Sequence, residues 1–343
     1  MGFSFAAFLG ARLSLYAGCM ILVTGGAGFI GSNLHAALVS RGLETVVVDR
    51  LRAEGKWRNL AHHPPARLIT PDALDDFLAT HPPIEMVFHL GAISSTTATD
   101  GDVVWSTNVE LSLRLWQWCA ERGVRFVYAS SAATYGDGSQ GFVDGIDNIA
   151  NLAPLNLYGW SKHAFDLQVA RFLAAGRRAP PQWAGLKFFN VYGPNEYHKG
   201  HMISVVKVKH DDVLAGRPPR LFRSDREGVV DGGQQRDFSW VGDVVDVMLW
   251  LLDIPQVSGL FNLGTGRART YRDLANAVCT AAGVAPEIEF VDMPQALRGQ
   301  YQSYTEADMA RLRAAGFAGQ FTTLEDGILR YVRDYLRTPD PYR

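Results

Sequence analysis

The sequence predicts an α/β fold, a doubly wound parallel sheet with a smaller α/β substrate-binding lobe. Three observations predict it. Short apolar runs alternate with helix-like segments through the first half of the chain. A glycine-rich turn joins the first run to the first helix. After Pro180-Pro181 the rhythm gives way to polar, Gly- and Pro-containing loops. Short Val/Ile-rich strands separated by helices require crossovers, and crossovers cover both faces of a parallel sheet.

Taken in order, Met20 to Thr24 reads as a short buried strand and Asn33 to Ser40 as a helix. Thr45 to Asp49, Met86 to Leu90 and Arg125 to Ser130 read as further strands. The helix through Val109 to Arg122 turns Leu111, Leu115, Trp118 and Cys119 toward the sheet. Leu186 to Asn190 is a strand leading into the polar stretch Tyr192 to His201. A second loop, Arg223 to Gln235, is rich in Gly, Asp and Arg. Helices Val244 to Leu252 and Tyr271 to Ala282, the strand Leu260 to Leu263 and a helix around Leu324 to Leu336 complete the chain. These assign 20–190 to a dinucleotide-binding domain, with returns near 239–265 and 300–318, and 191–238, 266–299 and 319–343 to the lobe.

The 343 residues, 47% of them hydrophobic, suffice for a sizeable core. A net charge of −2 points to neither nucleic acid nor an acidic membrane surface. The three cysteines have neither metal-ligand nor disulfide-framework spacing, which fits a reducing cytoplasm. The apolar stretch Phe3 to Ala17, ending Ala17-Gly18-Cys19, has two readings: a signal segment, or a tail or mis-assigned start over 1–19. The missing basic region and the strand beginning at Met20 without a spacer favour the second. No other run approaches the roughly 18 apolar residues of a membrane span.

The turn Gly25-Gly26-Ala27-Gly28-Phe29-Ile30-Gly31 follows a strand and opens a helix, the Rossmann-type arrangement. Gly25 permits the sharp turn, Gly28 the close approach of a pyrophosphate, and Gly31 close packing of helix on sheet. Asp49 ends the second strand, where an acid holds an adenosine ribose and favours NAD. Arg50, Arg52 and Lys56 follow at once, and a guanidinium pairs well with a phosphate, so NADP is favoured over NAD. The alternative for these cations is a solvated basic loop.

Tyr158 and Lys162 stand at i and i+4 on one helix face. A nearby ammonium favours the phenolate, which makes the tyrosine a base toward an alcohol. Ser131 ends the preceding strand and is placed to hydrogen-bond the same oxygen. Ser130-Ser131-Ala132-Ala133-Thr134-Tyr135 carries no carboxylate, so water elimination lacks its acid.

Together these motifs, with Asn190-Val191-Tyr192-Gly193-Pro194, resemble the extended short-chain dehydrogenases from Met20 nearly to the C-terminus. The segments Gly91 to Thr97, His198-Lys199-Gly200, Arg236-Asp237-Phe238, Asn262 to Ala268 and Arg311 to Gly316 resemble the ADP-L-glycero-D-manno-heptose 6-epimerases of that superfamily. The resemblance implies an NADP-dependent isomerase acting on an ADP-heptose, in a homo-oligomer, a pentamer. It implies two proton carriers, Tyr158 and Lys199, because a carbonyl reduced on its second face leaves its first base misplaced. It implies dinucleotide contacts from Phe29, Ile30, Leu90, Gly91, Ala92, Ile93, Ser94, Asn108, Lys162, Val191 and Lys199. On the substrate side it implies Ser131, Asn190 and His201 at the sugar, Phe222, Arg223, Ser224 and Asp225 at the nucleotide, and Arg236 with Tyr301 at the pyrophosphate. Two departures fall on that side: His201 stands where the family tends to have serine, and the loop after Asp225 is longer. Both leave the nucleotide and sugar open, with a UDP-hexose 4-epimerase as the alternative enzyme. A non-catalytic NADP-sensing protein is the alternative of another class, against which the paired Tyr158 and Lys162 stand.

Overall fold

A computed structural model describes residues 19–52, 55–147, 149–224, 228–294 and 304–343. The expectations for the N-terminal tail, Asp225 and Tyr301 lie outside the described residues, apart from Cys19.

Seven parallel strands form the main sheet: β1 (Met20–Thr24), β2 (Glu44–Val48), β3 (Arg67–Ile69), β4 (Ile84–His89), β5 (Arg125–Ser131), β6 (Trp183–Phe188) and, later in the chain, β10 (Gly259–Leu263). Their order is β10-β6-β5-β4-β1-β2-β3. The chain winds outward one way from β1 and the other way from β4. A crevice therefore opens beyond the carboxyl ends of these two neighbours.

Each strand divides its side chains between two cores. Ile21, Val23, Met86 and Phe88 face Leu34 and Leu38 of helix α1 (Phe29–Ser40). Leu22, Val46, Val87 and Phe126 face α2 (Leu111–Arg122) and α3 (Leu157–Ala174) on the other side. The tryptophan that α2 drives deepest is Trp116 rather than the expected Trp118, which lies half-buried at the margin. Trp116 is packed among the rings of Phe126, Phe165 and Trp183, with centroids 6.0, 6.4 and 5.8 Å away.

Where one strand was expected over Leu186 to Asn190, the chain makes two. β6 stops at Phe188, Phe189 turns inward, and β7 (Asn190–Tyr192) joins a different sheet. That sheet runs β11-β9-β7, with β9 (Gln235–Trp240) parallel to β7 and antiparallel to β11 (Ala268–Thr270). The pair β8 (Arg220–Phe222) and β12 (Glu289–Val291) stands apart. A third core joins Tyr192, Phe238 and Trp240 to Val206 of α4 (Val205–Leu214), Leu274 and Val278 of α6 (Tyr271–Ala282), and Ile328 and Tyr331 of α7 (Leu324–Tyr331). Between α4 and α6 in the chain, α5 (Val241–Asp253) returns to the face of the main sheet covered by α1.

Truncating Trp116 leaves a void among three aromatic rings that hold α2 and α3 to the sheet. Trp116→Ala is expected to cost about 3–5 kcal/mol in urea unfolding, whereas Trp118→Ala costs much less.

Candidate active site

At the crevice, β1 enters a turn in which two backbones come closer than side chains permit. Gly25 has φ +68°, and a Cβ there would stand 2.6 Å from the amide nitrogen of Gly91. A Cβ on Gly31 would stand 2.1 Å from the carbonyl oxygen of Gly25. Gly28 is the N-cap of α1, with no side chain capping the helix and no acidic residue in its first turn. The amides that open α1 thus keep their pull on an anion, a fit for a dinucleotide pyrophosphate.

The far side of the turn is fixed by a relay. Gly91 N–H donates to Thr24 Oγ1 over 3.1 Å, and that hydroxyl lies 2.7 Å from His89 Nδ1. His89 Nε2 is 2.8 Å from Ser112 Oγ, which donates to the carbonyl of Asn108. With each hydroxyl spending its one proton this way, His89 is neutral and protonated on Nε2. Burial, helped by the charge of Lys162, pushes its pKa down to about 3, in agreement. Sequence reasoning missed His89; its only signal was a polar residue ending a buried strand.

A cleft of about 650 Å³ runs from this turn toward β9. Gly25, Gly28, Phe29, Ile30, Gly31, Asp49, Lys56, Leu90, Gly91, Ala92, Ser94 and Val191 line it, as do Ser131, Tyr158, Lys162, Lys199, Asn190, His201 and Arg236. Six expected residues stand elsewhere. Asn108 is wholly buried behind the wall, clasping the backbone of Ile93 at 2.8 and 3.0 Å and Ser161 Oγ at 2.9 Å. It positions the loop and α3 instead of facing the cleft, and Ile93 is held with it. Arg50 turns outward to Asp72 at 2.7 Å. Phe222, Arg223 and Ser224 belong to β8 and the turn after it, where Arg223 reaches Asp231 and Asp292 at 3.6 and 3.4 Å. The wall also includes Asn156 and Thr305, which motif reading passed over, and His198, which belongs to the His198-Lys199-Gly200 motif but was given no role of its own. Thr305 Oγ1 is buried with no hydrogen-bond partner among the described residues.

Asp49 is already engaged. Its carboxylate accepts from Ala27 N–H at 2.9 Å, Arg50 N–H at 2.7 Å and Lys56 Nζ at 2.5 Å. It is the only carboxylate in the cleft wall among the described residues.

Tyr158 and Lys162 lie in the first turns of α3, started by Asn156, whose side chain accepts from Gly159 N–H at 2.8 Å. Burial raises the Tyr158 pKa, a hydrogen bond with Ser131 opposes it, and the charge of Asp166 adds to the rise. The direction is opposite to the one expected from a neighbouring ammonium, because desolvation is the largest influence. Lys162 is pushed down to about 8, again by burial, with Asp166 opposing. Lys199 sits in the turn Tyr197–Met202 with Nζ 5.3 Å from the ring centre of Phe29. Burial lowers its pKa against the pull of Glu196. That turn is anchored: Asn33 Nδ2 donates to Pro194 O, Asn195 Nδ2 to Ser32 Oγ, and Ser204 N–H and Oγ to Glu196. His198 beside it is lowered to about 4 by burial and then by Lys56.

A parallel α/β sheet with this glycine cradle, and a serine, tyrosine and lysine converging where its crevice opens, defines a dinucleotide-dependent enzyme of the short-chain dehydrogenase kind. Residues 21–264 match the NAD dependent epimerase/dehydratase family, and the chain belongs to it. It is 48% identical over 327 residues to the ADP-L-glycero-D-manno-heptose-6-epimerase of Nitratidesulfovibrio vulgaris (strain DP4), covering 94% of this chain and 100% of that protein. The enzyme of the same name from Fusobacterium nucleatum subsp. nucleatum is 41% identical over 335 residues, with 94% and 100% covered. The crystal structure of the Helicobacter pylori ADP-L-glycero-D-manno-heptose-6-epimerase superposes with a TM-score of 0.77 at 28% identity, covering 92% of this chain and 96% of that one. The Thermus thermophilus UDP-glucose 4-epimerase in complex with NAD gives a TM-score of 0.69 at 29% identity, with 90% and 97% covered.

The lowered pKa of Lys162 has a consequence for stability. Between about 8 and the ordinary lysine value of 10.5 the unfolded chain holds a proton that the folded chain has released. Stability contributed at this site is therefore lowest below about pH 8 and recovers as pH rises through that window. Lys162→Met is expected to unfold at higher urea than wild type near neutral pH, by about 3 kcal/mol, with the gap narrowing toward about pH 10.

Proposed function

We propose that this enzyme inverts C6 of ADP-D-glycero-D-manno-heptose to give ADP-L-glycero-D-manno-heptose, a precursor of the lipopolysaccharide inner core. The observation that supports the reading is that Tyr158 and Lys199, both able to carry a proton, line one cleft. A nicotinamide dinucleotide, when bound, takes up hydride from the sugar carbon and gives it back.

The chain's own residues then manage the protons. Burial by itself favours the phenol form of Tyr158; the positive charge of an oxidised nicotinamide, when bound, would favour the phenolate, and it is the phenolate that takes the hydroxyl proton in the oxidation of one epimer, with Ser131 bonded beside it. For the other face Lys199 Nζ is the carrier; burial has already weakened its hold on a proton. Lys162 holds the dinucleotide ribose. The absence of a carboxylate near Ser131 and Tyr158 among the wall residues leaves inversion rather than elimination as the outcome. Asn190 and His201 take the sugar, and Arg236, with Tyr301 and Asp225, the nucleotide diphosphate. In this reading 191–238, 266–299 and 319–343 are the substrate-binding lobe.

NADP is the preferred dinucleotide. The contacts from Lys56 and Ala27 N–H neutralise the carboxylate that would repel a 2′-phosphate. The Arg50 guanidinium is tied to Asp72 at the surface, a pair cheaply exchanged for a phosphate. A cytoplasmic setting accords with three free cysteines and the need for that cofactor. The enzyme works as a homo-oligomer, a pentamer.

Purified protein incubated with ADP-D-glycero-D-manno-heptose and its dinucleotide is expected to accumulate the L-glycero epimer, followed by NMR at C6. Tyr158→Phe and Lys199→Met each lose about 10²–10⁴-fold in turnover; a Lys199→Met enzyme at wild-type rate ends the two-base reading. Arg50→Ala is expected to reduce the preference for NADP over NAD in binding titrations, and an unchanged ratio counts against NADP.

A further inference from the structure

We propose that a fully buried ion pair, Lys187 with Asp166, is the positioning device that fixes Ser131 against the Tyr158–Lys162 face of α3. The inference rests on the catalytic reading of those three residues given above.

Lys187 lies on β6 and Asp166 on α3, with Nζ and Oδ2 2.9 Å apart and side chains 1% and 0% exposed. Asp166 is four residues past Lys162 and eight past Tyr158, on the same row of the helix. Its carboxylate also accepts from Ser130 Oγ at 2.6 Å and Tyr128 OH at 3.0 Å. Both belong to β5, and Ser130 is the residue before Ser131. The parallel register sets Ser130 directly beside Lys187. The ammonium makes a second bond, to Thr134 Oγ1 at 2.6 Å, and Thr134 in turn donates to the carbonyl of Ser131 at 2.8 Å. The face of the Tyr135 ring, 5.1 Å from Nζ, supplies a third partner.

Ser131 is thus tethered twice to one ion pair. One tether runs from its carbonyl through Thr134 to Lys187; the other runs through its neighbour Ser130 to Asp166. The same Asp166 is part of the helix that presents Tyr158 and Lys162. Taking two charges out of water is expensive, and apolar residues of similar volume often serve stability as well or better. Stability alone is therefore a poor reason for this pair. What an apolar pair lacks is direction: hydrogen bonds fix the distance and angle between β5, β6 and α3, and packing alone leaves slack. Misplacement by about 1 Å can cost about 100-fold in rate.

The test removes both charges and keeps the volume. Lys187→Met/Asp166→Asn leaves no unpaired buried charge, unlike either single variant. Its thermal midpoint, its Kd for NADP and its KM for ADP-D-glycero-D-manno-heptose are expected to stay within about twofold or a few degrees of wild type, while kcat falls about 10–100-fold. Thr134→Val, which cuts the tether to the Ser131 carbonyl and takes one of its hydrogen-bond partners from Lys187, keeps both charges and the Lys187–Asp166 contact in place; it is expected to lower kcat several-fold at unchanged KM. Wild-type kcat in both variants overturns the inference. So does a loss in which midpoint, Kd, KM and kcat decline together, since that is a general loosening of the fold. A wild-type enzyme that fails to convert the substrate at all instead overturns the catalytic reading on which the inference stands.

Discussion

The approach of the Gly25 turn to the backbone at Gly91 is the constraint on which the cleft depends. It brings the end of β1 against the end of β4 with no side chain between them. The same turn packs against Gly31, so α1 starts immediately, uncapped and with its amides toward the crevice. Loop 90–94 is then held from beneath by Thr24, His89 and Ser112, and from behind by Asn108. Hydrogen bonds that never reach the cleft surface thereby shape the floor on which a dinucleotide would lie. A neutral His89 suits that task, since an imidazolium could not accept from Thr24.

Burial is the common physical factor among the ionisable groups of the cleft. It raises Tyr158 and lowers Lys162, Lys199 and His198, in each case as the largest cause. Nearby charges act as corrections: Asp166 on Tyr158 and Lys162, Glu196 on Lys199, Lys56 on His198. From spacing alone, an adjacent ammonium would lead at Tyr158, whereas desolvation is the largest influence there. In a dry site, loss of water outweighs one neighbour. That balance cannot be read from i, i+4 spacing, because spacing says which groups are close and not how much water remains around them.

Legibility in the sequence followed the same divide. The central strands and α6 were readable because each is a continuous apolar run or a periodic stripe with a clear start, as in the Thr270–Asp273 capping box. The edge strand β3 was not, since its residues are largely exposed and carry no apolar run. The break at Phe189 was hidden because Leu186 to Phe189 carries no glycine, proline or other turn residue, and only the second sheet explains the turn. Motif residues such as Gly25, Ser131, Tyr158 and Lys199 come to one cleft. Asn108 and Arg50 show the limit: residue type and position put them near a ligand, while hydrogen-bond partners decided which way each side chain faces. Thr305 and His89 belong to no local pattern, and their places follow from contacts distant in sequence.

The turn bearing Lys199 is also held from the other end of the chain. Arg343 N–H donates to Asn195 Oδ1 across 148 positions, Tyr197 OH to the carbonyl of Pro341, and the ring of Tyr342 lies against that of Tyr197. Contacts this far apart in sequence are among the last a growing or refolding polypeptide can make, because the intervening loop must close first. The turn of the glycine cradle comes from segments within the first 91 positions, whereas the lysine flank of the crevice is braced by the last three residues of the chain, so removing 341–343 strips the support from one wall and leaves the contact between the two glycine backbones untouched.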